Sequence, residues 1–289
     1  MEQMQQIGIV GCGLSGCAIA RIVALAGYNV HISEISQATL DLAFQKSSTF
    51  FKRESMRGAL NKEDMQGTLS RIHGTIDLHD LADCDLIIET LPENPEAKSH
   101  IFQQLDAICS PNTIFISHTS SLSIESLASS IRSPERIVGL HFLHPIHQMK
   151  LVEIIKTPFV HSSVLETLLA FIESLGKESI VVKDAPGLIV NRLLIAHLLN
   201  AVRLLESGIA DIEDIDKAMQ IGCGHPMGPF RILDYYGLEL ICRIADNLYQ
   251  EYHDPQYQPP ALLLEMIEKS LLGRKVGQGF YTYSDEFVE

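Results

Sequence analysis

Short apolar runs alternate with segments of helical periodicity through the first two thirds of the chain. The first run, residues 7–10, is followed by apolar positions at helical spacing as far as Ala26, and residues 29–33 form a second strand-like run. Further strands are predicted at residues 85–93, 113–121, 136–142, 150–156 and 179–183, and helices at residues 37–66, 95–108 and 162–176. Because strands alternate with helices, the pattern predicts an α/β fold with a mostly parallel, doubly wound sheet.

The remaining third of the chain has the periodicity of helices alone. Residues 188–206 are apolar on nearly every side, which predicts a helix that is buried on several faces. Three more helices are predicted at residues 211–221, 230–249 and 261–271. Pro186 and Gly187 interrupt the chain, so we expect two domains, residues 1–184 and 185–289. A helical domain this apolar cannot cover its own surface, and we expect it to form a homodimer.

A glycine-rich turn follows the first predicted strand. Gly11, Gly13 and Gly16 form a G-x-G-x-x-G pattern, in which the glycines allow a tight turn, close approach to a pyrophosphate and close helix packing. Glu34 follows the second strand, where a carboxylate accepts hydrogen bonds from the adenosine ribose and repels a 2′-phosphate. The strand, helix and acid around the glycines favour a Rossmann domain that binds NAD over a glycine-rich turn without a ligand.

Composition and charge exclude several classes of partner. With 46% hydrophobic and 20% charged residues the chain is typical of globular proteins, and its net charge of −14 would repel nucleic acid and anionic membranes. No apolar run reaches the roughly 18 residues of a membrane span. Because a strand-like run begins at Ile7, we expect no signal or transit peptide.

Cysteine spacing agrees with a cytoplasmic protein. None of the six cysteines forms a C-x-x-C pair, and the chain is long enough to fold without a disulfide framework. We interpret them as reduced, small apolar residues, and no thiol lies in a motif that would make it catalytic. The six are Cys12, Cys17, Cys84, Cys109, Cys223 and Cys242.

Three evenly spaced histidines and one glutamate lie in the apolar run GLHFLHPIHQMKLVEII. On a helix, His141, His144 and His147 could ligate a metal, but Pro145 and the strand-like start of the run argue against a helix, and we expect no metal. Alternatively, one of the three histidines pairs with Glu153 and acts as a base, because an imidazole that is neutral near neutral pH can accept a proton. For the other two histidines a structural role is favoured.

Several motifs resemble those of the L-3-hydroxyacyl-CoA dehydrogenase family, which includes the 3-hydroxybutyryl-CoA dehydrogenases. The resemblance runs almost from end to end and rests on GCGLSG with Glu34, ETLPENPEAK, TSSL, GLHF, MKLVEIIKTP, DAPGLIVNRLL, HPMGPFRILDYYGL and GRKVGQGFY, in that order. It implies a Rossmann domain followed by a helical dimerisation domain. It also implies the oxidation of an L-3-hydroxyacyl-CoA thioester to the 3-ketoacyl thioester by NAD, a reaction of fatty acid metabolism.

The same motifs imply roles for individual residues. His141 corresponds to the catalytic histidine of the family, Glu153 to its partner, and Ser120 and Asn191 to the active-site serine and asparagine. The implied cofactor contacts are Gly11, Gly13, Leu14, Gly16, Glu34, Glu93 and Lys98. Taken alone, the residues leave simpler roles open, in which Ser120 only ends a strand, Asn191 caps a helix and Glu153 faces solvent.

Two positions depart from the family pattern. His118 and His144 stand where the family usually has asparagine, at the border of the nicotinamide and substrate crevice. Histidine is bulkier and can become charged, so the acyl part of the substrate stays undetermined. A basic cluster lies where the family binds CoA, and it would equally suit an acidic acyl carrier protein or a solvated helix face. Its members are Lys52, Arg53, Arg57 and Lys62.

Three functions follow from these features. NAD-dependent oxidation of a 3-hydroxyacyl-CoA is favoured, because the base and its partner are both present. The first alternative is a dehydrogenase that acts on a hydroxyacyl group bound to an acyl carrier protein in polyketide precursor synthesis. The second is a noncatalytic relative that binds NADH. Rates with CoA and carrier thioesters distinguish the three.

Overall fold

Two compact units, which divide between Ala185 and Pro186, make up the fold of this computed structural model. The structure describes residues 4–56, 61–120 and 122–283, without the side chains of Glu54 and Lys62. Arg57, a member of the predicted basic cluster, lies outside the described residues. Each unit has its own hydrophobic core.

An eight-stranded sheet forms the centre of the first unit. In chain order its strands are β1 (Gln6–Val10), β2 (Asn29–Ser33), β3 (Ile72–Thr75), β4 (Leu86–Glu89), β5 (Ile114–His118), β6 (Ile137–Phe142), β7 (Leu151–Lys156) and β8 (Glu178–Lys183). Their order across the sheet is β3-β2-β1-β4-β5-β6-β7-β8, and only β6 and β7 run antiparallel. The mostly parallel, doubly wound sheet is therefore confirmed, with the chain reversing its winding between β1 and β4, where such folds bind ligands.

Six α-helices accompany this sheet in the described part of the first unit. They are α1 (Leu14–Leu25), α2 (Gln37–Met56), α3 (Lys62–Leu69), α4 (Pro95–Ile108), α5 (Ile124–Ala128) and α6 (Ser162–Ser174). The prediction of a single helix over residues 37–66 is wrong. Asn61 caps a new helix, because its side chain accepts a hydrogen bond from the backbone N–H of Asp64. β3 and α5 were not predicted, since four or five residues are too few to establish a periodicity.

The second unit is built from helices. Up to residue 283, its α-helices are α7 (Val190–Glu206), α8 (Ile212–Cys223), α9 (Pro229–Tyr236), α10 (Leu238–Tyr252) and α11 (Ala261–Glu268). The helix predicted over residues 230–249 is two helices, because Gly237 adopts a φ of +89° that a continuous helix does not allow. In the part of the chain that the structure describes, no helix has the length and apolar character required to cross a bilayer.

Candidate active site

A histidine and a glutamate meet across the antiparallel pair β6 and β7. The register places His141 directly opposite Glu153, so both side chains project from the same face of the sheet. Nδ1 of His141 lies 2.7 Å from Oε2 of Glu153, with His141 7% exposed and Glu153 fully buried. Because a carboxylate only accepts, Nδ1 carries a proton, and in the neutral ring this leaves the lone pair on Nε2. The pair therefore presents a proton acceptor in a fixed tautomer and orientation.

A buried ion pair lies at the end of β4, which β5 separates from β6 in the sheet. The ammonium of Lys98, on α4, donates to both carboxylate oxygens of Glu89 at 2.8 and 2.9 Å and to the His118 carbonyl at 3.1 Å. Burial raises the pKa of Glu89, whereas Lys98 and a hydrogen bond from Ser117 lower it. The structure thus places Lys98, a predicted cofactor contact, beneath the loop that carries Glu93. Sequence reasoning missed Glu89, although a glutamate that ends an apolar strand was visible in the motif.

The loop after β5 is hydrogen-bonded to the Glu93 side chain. Oγ1 of Thr119 donates to both carboxylate oxygens of Glu93, at 2.9 and 3.0 Å, and the Ser120 backbone N–H donates to one of them at 2.9 Å. Two residues predicted for the site, Ser120 and Glu93, are therefore neighbours. Thr119 was not predicted, and its hydroxyl bonds to the same carboxylate.

The glycine loop passes between β1 and α1. Gly11 has a φ of +84°, and a Cβ placed on Gly13 would meet nothing within 4 Å, so the loop backbone faces open space. The N–H of Cys12 donates to Glu34, which comes directly after β2. Leu14, the first residue of α1, is 79% exposed. Backbone N–H groups at the start of a helix, beside an acid that follows the second strand, fit the pyrophosphate and adenosine of a dinucleotide.

Gly16 is the point at which α1 packs on this loop. A Cβ there would lie 2.2 Å from the Gly11 carbonyl oxygen and 2.5 Å from Oγ1 of Thr90, which itself donates to Gly11 at 2.7 Å. We therefore expect Gly16→Ala to displace the loop and to weaken NADH binding by about tenfold or more. Fluorescence titration with NADH measures this effect.

Gly67→Ala is the matched control for that substitution. Gly67 lies inside α3, and a Cβ on it would meet nothing within 4 Å. Alanine is the better helix former, so this variant should keep the NADH affinity and gain up to about 1 kcal/mol of stability. An affinity of Gly16→Ala that stays within about twofold of the control would contradict the tight packing at the loop.

The two histidines that depart from the family pattern are both partly buried in the first unit. Nδ1 of His118 donates to the Leu140 carbonyl at 3.0 Å, and burial lowers the pKa of His118 to about 3. Nε2 of His144 lies 3.1 Å from Oγ of Ser15, and burial lowers the pKa of His144 also. Both pKa shifts favour neutral rings, which offer a donor and an acceptor as asparagine does.

His118 should make stability depend on pH. Between pH 6.5 and about 3 the unfolded chain binds a proton on His118 that the folded chain rejects, so stability falls as the pH falls. We expect His118→Asn to remove about 1 kcal/mol per pH unit from the slope of the unfolding free energy. Urea denaturation at about pH 7, 6 and 5 measures both slopes, and parallel slopes would contradict the burial of a neutral ring.

His147 and Asn191 are the remaining residues that were considered for a site. The ring of His147 packs edge-on against Phe50 with centroids 5.4 Å apart. Over residues 4–56, 61–120 and 122–283 no group of three or more histidine, cysteine, aspartate or glutamate side chains is arranged to hold a metal ion. Asn191 is half-buried in the first turn of α7, in the second unit. Its role in the reaction stays a prediction.

A glycine loop at the reversal point of a parallel sheet, with an acid after the second strand, defines an NAD-dependent dehydrogenase of the Rossmann class. Residues 6–185 match the family model described as 3-hydroxyacyl-CoA dehydrogenase, NAD binding domain, and residues 187–283 match its C-terminal domain. The chain belongs to the 3-hydroxyacyl-CoA dehydrogenase family.

Individual relatives agree with this family over nearly their full length. A 3-hydroxybutyryl-CoA dehydrogenase of Mycobacterium tuberculosis is 37% identical, over 98% of this chain and 99% of the relative. The mitochondrial hydroxyacyl-coenzyme A dehydrogenase of Sus scrofa is 39% identical, over 97% of this chain and 91% of the relative. The crystal structure of (S)-3-hydroxybutyryl-CoA dehydrogenase from Ralstonia eutropha superposes with a TM-score of 0.91 at 36% identity, covering 98% of this chain and 100% of that one.

Proposed function

We propose that the protein oxidises the 3-hydroxyl group of an L-3-hydroxyacyl-CoA to the 3-ketone with NAD+, and that it catalyses the reverse reaction with NADH. The observation that carries this proposal is the 2.7 Å hydrogen bond between His141 and the buried Glu153. The names of the relatives from Mycobacterium and Ralstonia support the thioester substrate and, for the latter, the S configuration of the alcohol.

The proton of the substrate hydroxyl passes to Nε2 of His141 in this proposal. Glu153 holds the imidazole in the tautomer that leaves Nε2 free, and its negative charge stabilises the imidazolium that forms. NAD, when bound, supplies the acceptor for the hydride from C3 of the substrate. Ser120 and Asn191 are proposed to hydrogen-bond the substrate oxygens, a role supported by their motifs.

Residues around the glycine loop are proposed to hold the cofactor. The exposed backbone at Gly13 and Leu14 would approach the pyrophosphate, while Gly11 and Gly16 shape the turn. Glu34 would accept hydrogen bonds from the adenosine ribose. Glu93 would contact the cofactor from the loop after β4, and Lys98, which is buried against Glu89, would act by positioning that loop.

Two exposed cations near the end of α2 support a substrate that carries phosphate groups. Lys52 and Arg53 are solvent-exposed on this helix, in a chain whose net charge is −14. An acidic protein needs such local cations to attract CoA, whose phosphates are negative. The same cations would suit an acyl carrier protein, so the test compares both thioesters.

The assay follows the loss of NADH absorbance with acetoacetyl-CoA and with the same acyl group on an acyl carrier protein. We expect robust turnover of the CoA thioester. A rate at least about tenfold higher with the carrier thioester would show that the enzyme acts on carrier-bound substrates instead. Binding of NADH without turnover of either thioester would show that the protein is a noncatalytic relative and would overturn the proposed function.

The second unit is proposed to join two copies of the chain in a homodimer. Apolar side chains stand exposed on it, among them Leu193 at 70%, Ile209 at 72% and Ile221 at 76%. Covering such side chains is the usual reason for association. Light scattering coupled to size exclusion should therefore give twice the mass of the chain.

A cytoplasmic location is also proposed for the protein, in agreement with the free cysteines.

A further inference from the structure

Two thiols face each other where the glycine loop meets α1. Cys12 lies inside the loop and Cys17 on the first turns of α1, and their sulfur atoms are 2.7 Å apart. Sγ of Cys17 also lies 2.9 Å from the Cys12 carbonyl oxygen. The two side chains are only 5% and 2% exposed. The proposed oxidation chemistry of the substrate uses neither thiol.

The surroundings shift the pKa values of the two thiols in opposite directions. A hydrogen bond from Cys12 lowers the pKa of the Cys17 thiol, burial opposes this, and the charge of Arg21 lowers that pKa further. The same hydrogen bond, together with burial, raises the pKa of Cys12. Cys17 is therefore the better nucleophile of the two, and Cys12 is in place to attack it once it is oxidised.

We propose that Cys12 and Cys17 are a redox modification site, in which a small peroxide converts the two thiols into a disulfide that ties the glycine loop to α1. The Cys17 sulfur attacks one oxygen of hydrogen peroxide, the O–O bond breaks, and a sulfenic acid and one water form. The Cys12 sulfur then attacks the Cys17 sulfur, the S–O bond breaks, and a second water leaves. Two thiols are oxidised and one peroxide is reduced to two waters.

Closing this bond moves the loop more than the helix. A disulfide requires the sulfur atoms to approach to about 2.05 Å. Cys17 is held by the backbone hydrogen bonds of α1, whereas Cys12 lies between two glycines, so Cys12 takes up the shift. Its N–H donates to Glu34, and this contact would be disturbed. Oxidation should therefore weaken NADH binding by about tenfold, a consequence that rests on the proposed role of the loop.

Mass spectrometry of the full chain after peroxide treatment tests the disulfide itself. Both cysteines fall in one tryptic peptide that ends at Arg21, so the disulfide makes this peptide lighter by two hydrogens and prevents its alkylation until a thiol reductant is added. Cys223, which is exposed and has no thiol partner in the described residues, serves as the internal control. Full alkylation of Cys12 and Cys17 after Cys223 has been oxidised, or sulfinic acid without a disulfide, would overturn the proposal.

NADH titration before and after oxidation tests the effect on the loop. We expect reversible weakening in the unchanged protein and in Cys223→Ser, and none in Cys12→Ser or Cys17→Ser. If oxidation weakens NADH binding equally in Cys12→Ser or Cys17→Ser, other residues cause the effect and the proposed role of the disulfide is rejected. If the reduced protein binds no NADH, the proposed role of the loop fails, whereas the peptide masses still decide whether the disulfide forms.

Discussion

Turnover of His141→Ala is expected to fall by about 10³-fold, while its affinity for NADH stays within about twofold of the unchanged protein. The substitution removes the imidazole that is proposed to accept the substrate proton and that pairs with Glu153. The glycine loop and Glu34 follow β1 and β2, so we expect the substitution to leave their positions unchanged. Steady-state rates with acetoacetyl-CoA and NADH titration measure the two quantities separately.

His147→Ala is the matched control, because it removes an imidazole from the same motif. His147 is exposed at the surface and packs against Phe50, so its loss should leave turnover unchanged. If both alanine variants lose turnover to the same extent, His141 has no special role as a base. If His141→Ala loses NADH binding as well as turnover, His141 belongs to the cofactor site instead.

Glu153→Gln is expected to lower kcat by about 10²- to 10³-fold with little change in the KM for the thioester. Glutamine keeps the size of the side chain but has no negative charge to stabilise the imidazolium. It can also donate to Nδ1 and so favour the wrong tautomer. Glu153 is fully buried and acts through His141, so its effect should appear in kcat and not in substrate binding.

Glu178→Gln, on the neighbouring strand β8, is the control for this loss of charge. Glu178 is exposed, and its substitution should change neither kcat nor KM. Thermal unfolding of both glutamine variants shows whether the fold persists. A folded Glu153→Gln protein with unchanged kcat would contradict the role of Glu153 in orienting the base.

Much of the fold follows from hydrophobic periodicity. The strands ending at Ser33 and Phe142 and the helix Pro95–Ile108 match their predicted ranges within one residue, because residues typical of turns and breaks bound their apolar patterns. Boundaries that depend on a single backbone angle were missed, as at Gly237, where the chain leaves the helix at a positive φ. Sequence alone indicates a glycine there but not the conformation it adopts.

The candidate site was only partly predictable. His141 and Glu153 were found through their motif, but their direct pairing depends on β7 running antiparallel to β6, and a strand pattern carries no direction. The Glu89–Lys98 pair was missed because charged side chains are normally exposed to solvent, whereas both of these are fully buried. Such a pair becomes visible only when the helix is placed on the sheet.

Nitrogen NMR of the protein with labelled histidine tests the central claim most directly, with His141→Ala used to assign the His141 signals. Because Glu153 accepts a hydrogen bond from Nδ1, the account predicts that the neutral form of the His141 ring carries its proton on Nδ1 and leaves Nε2 bare. In Glu153→Gln this preference should disappear. A His141 ring that carries its proton on Nε2 in the unchanged protein would have no lone pair for the substrate proton and would contradict the account.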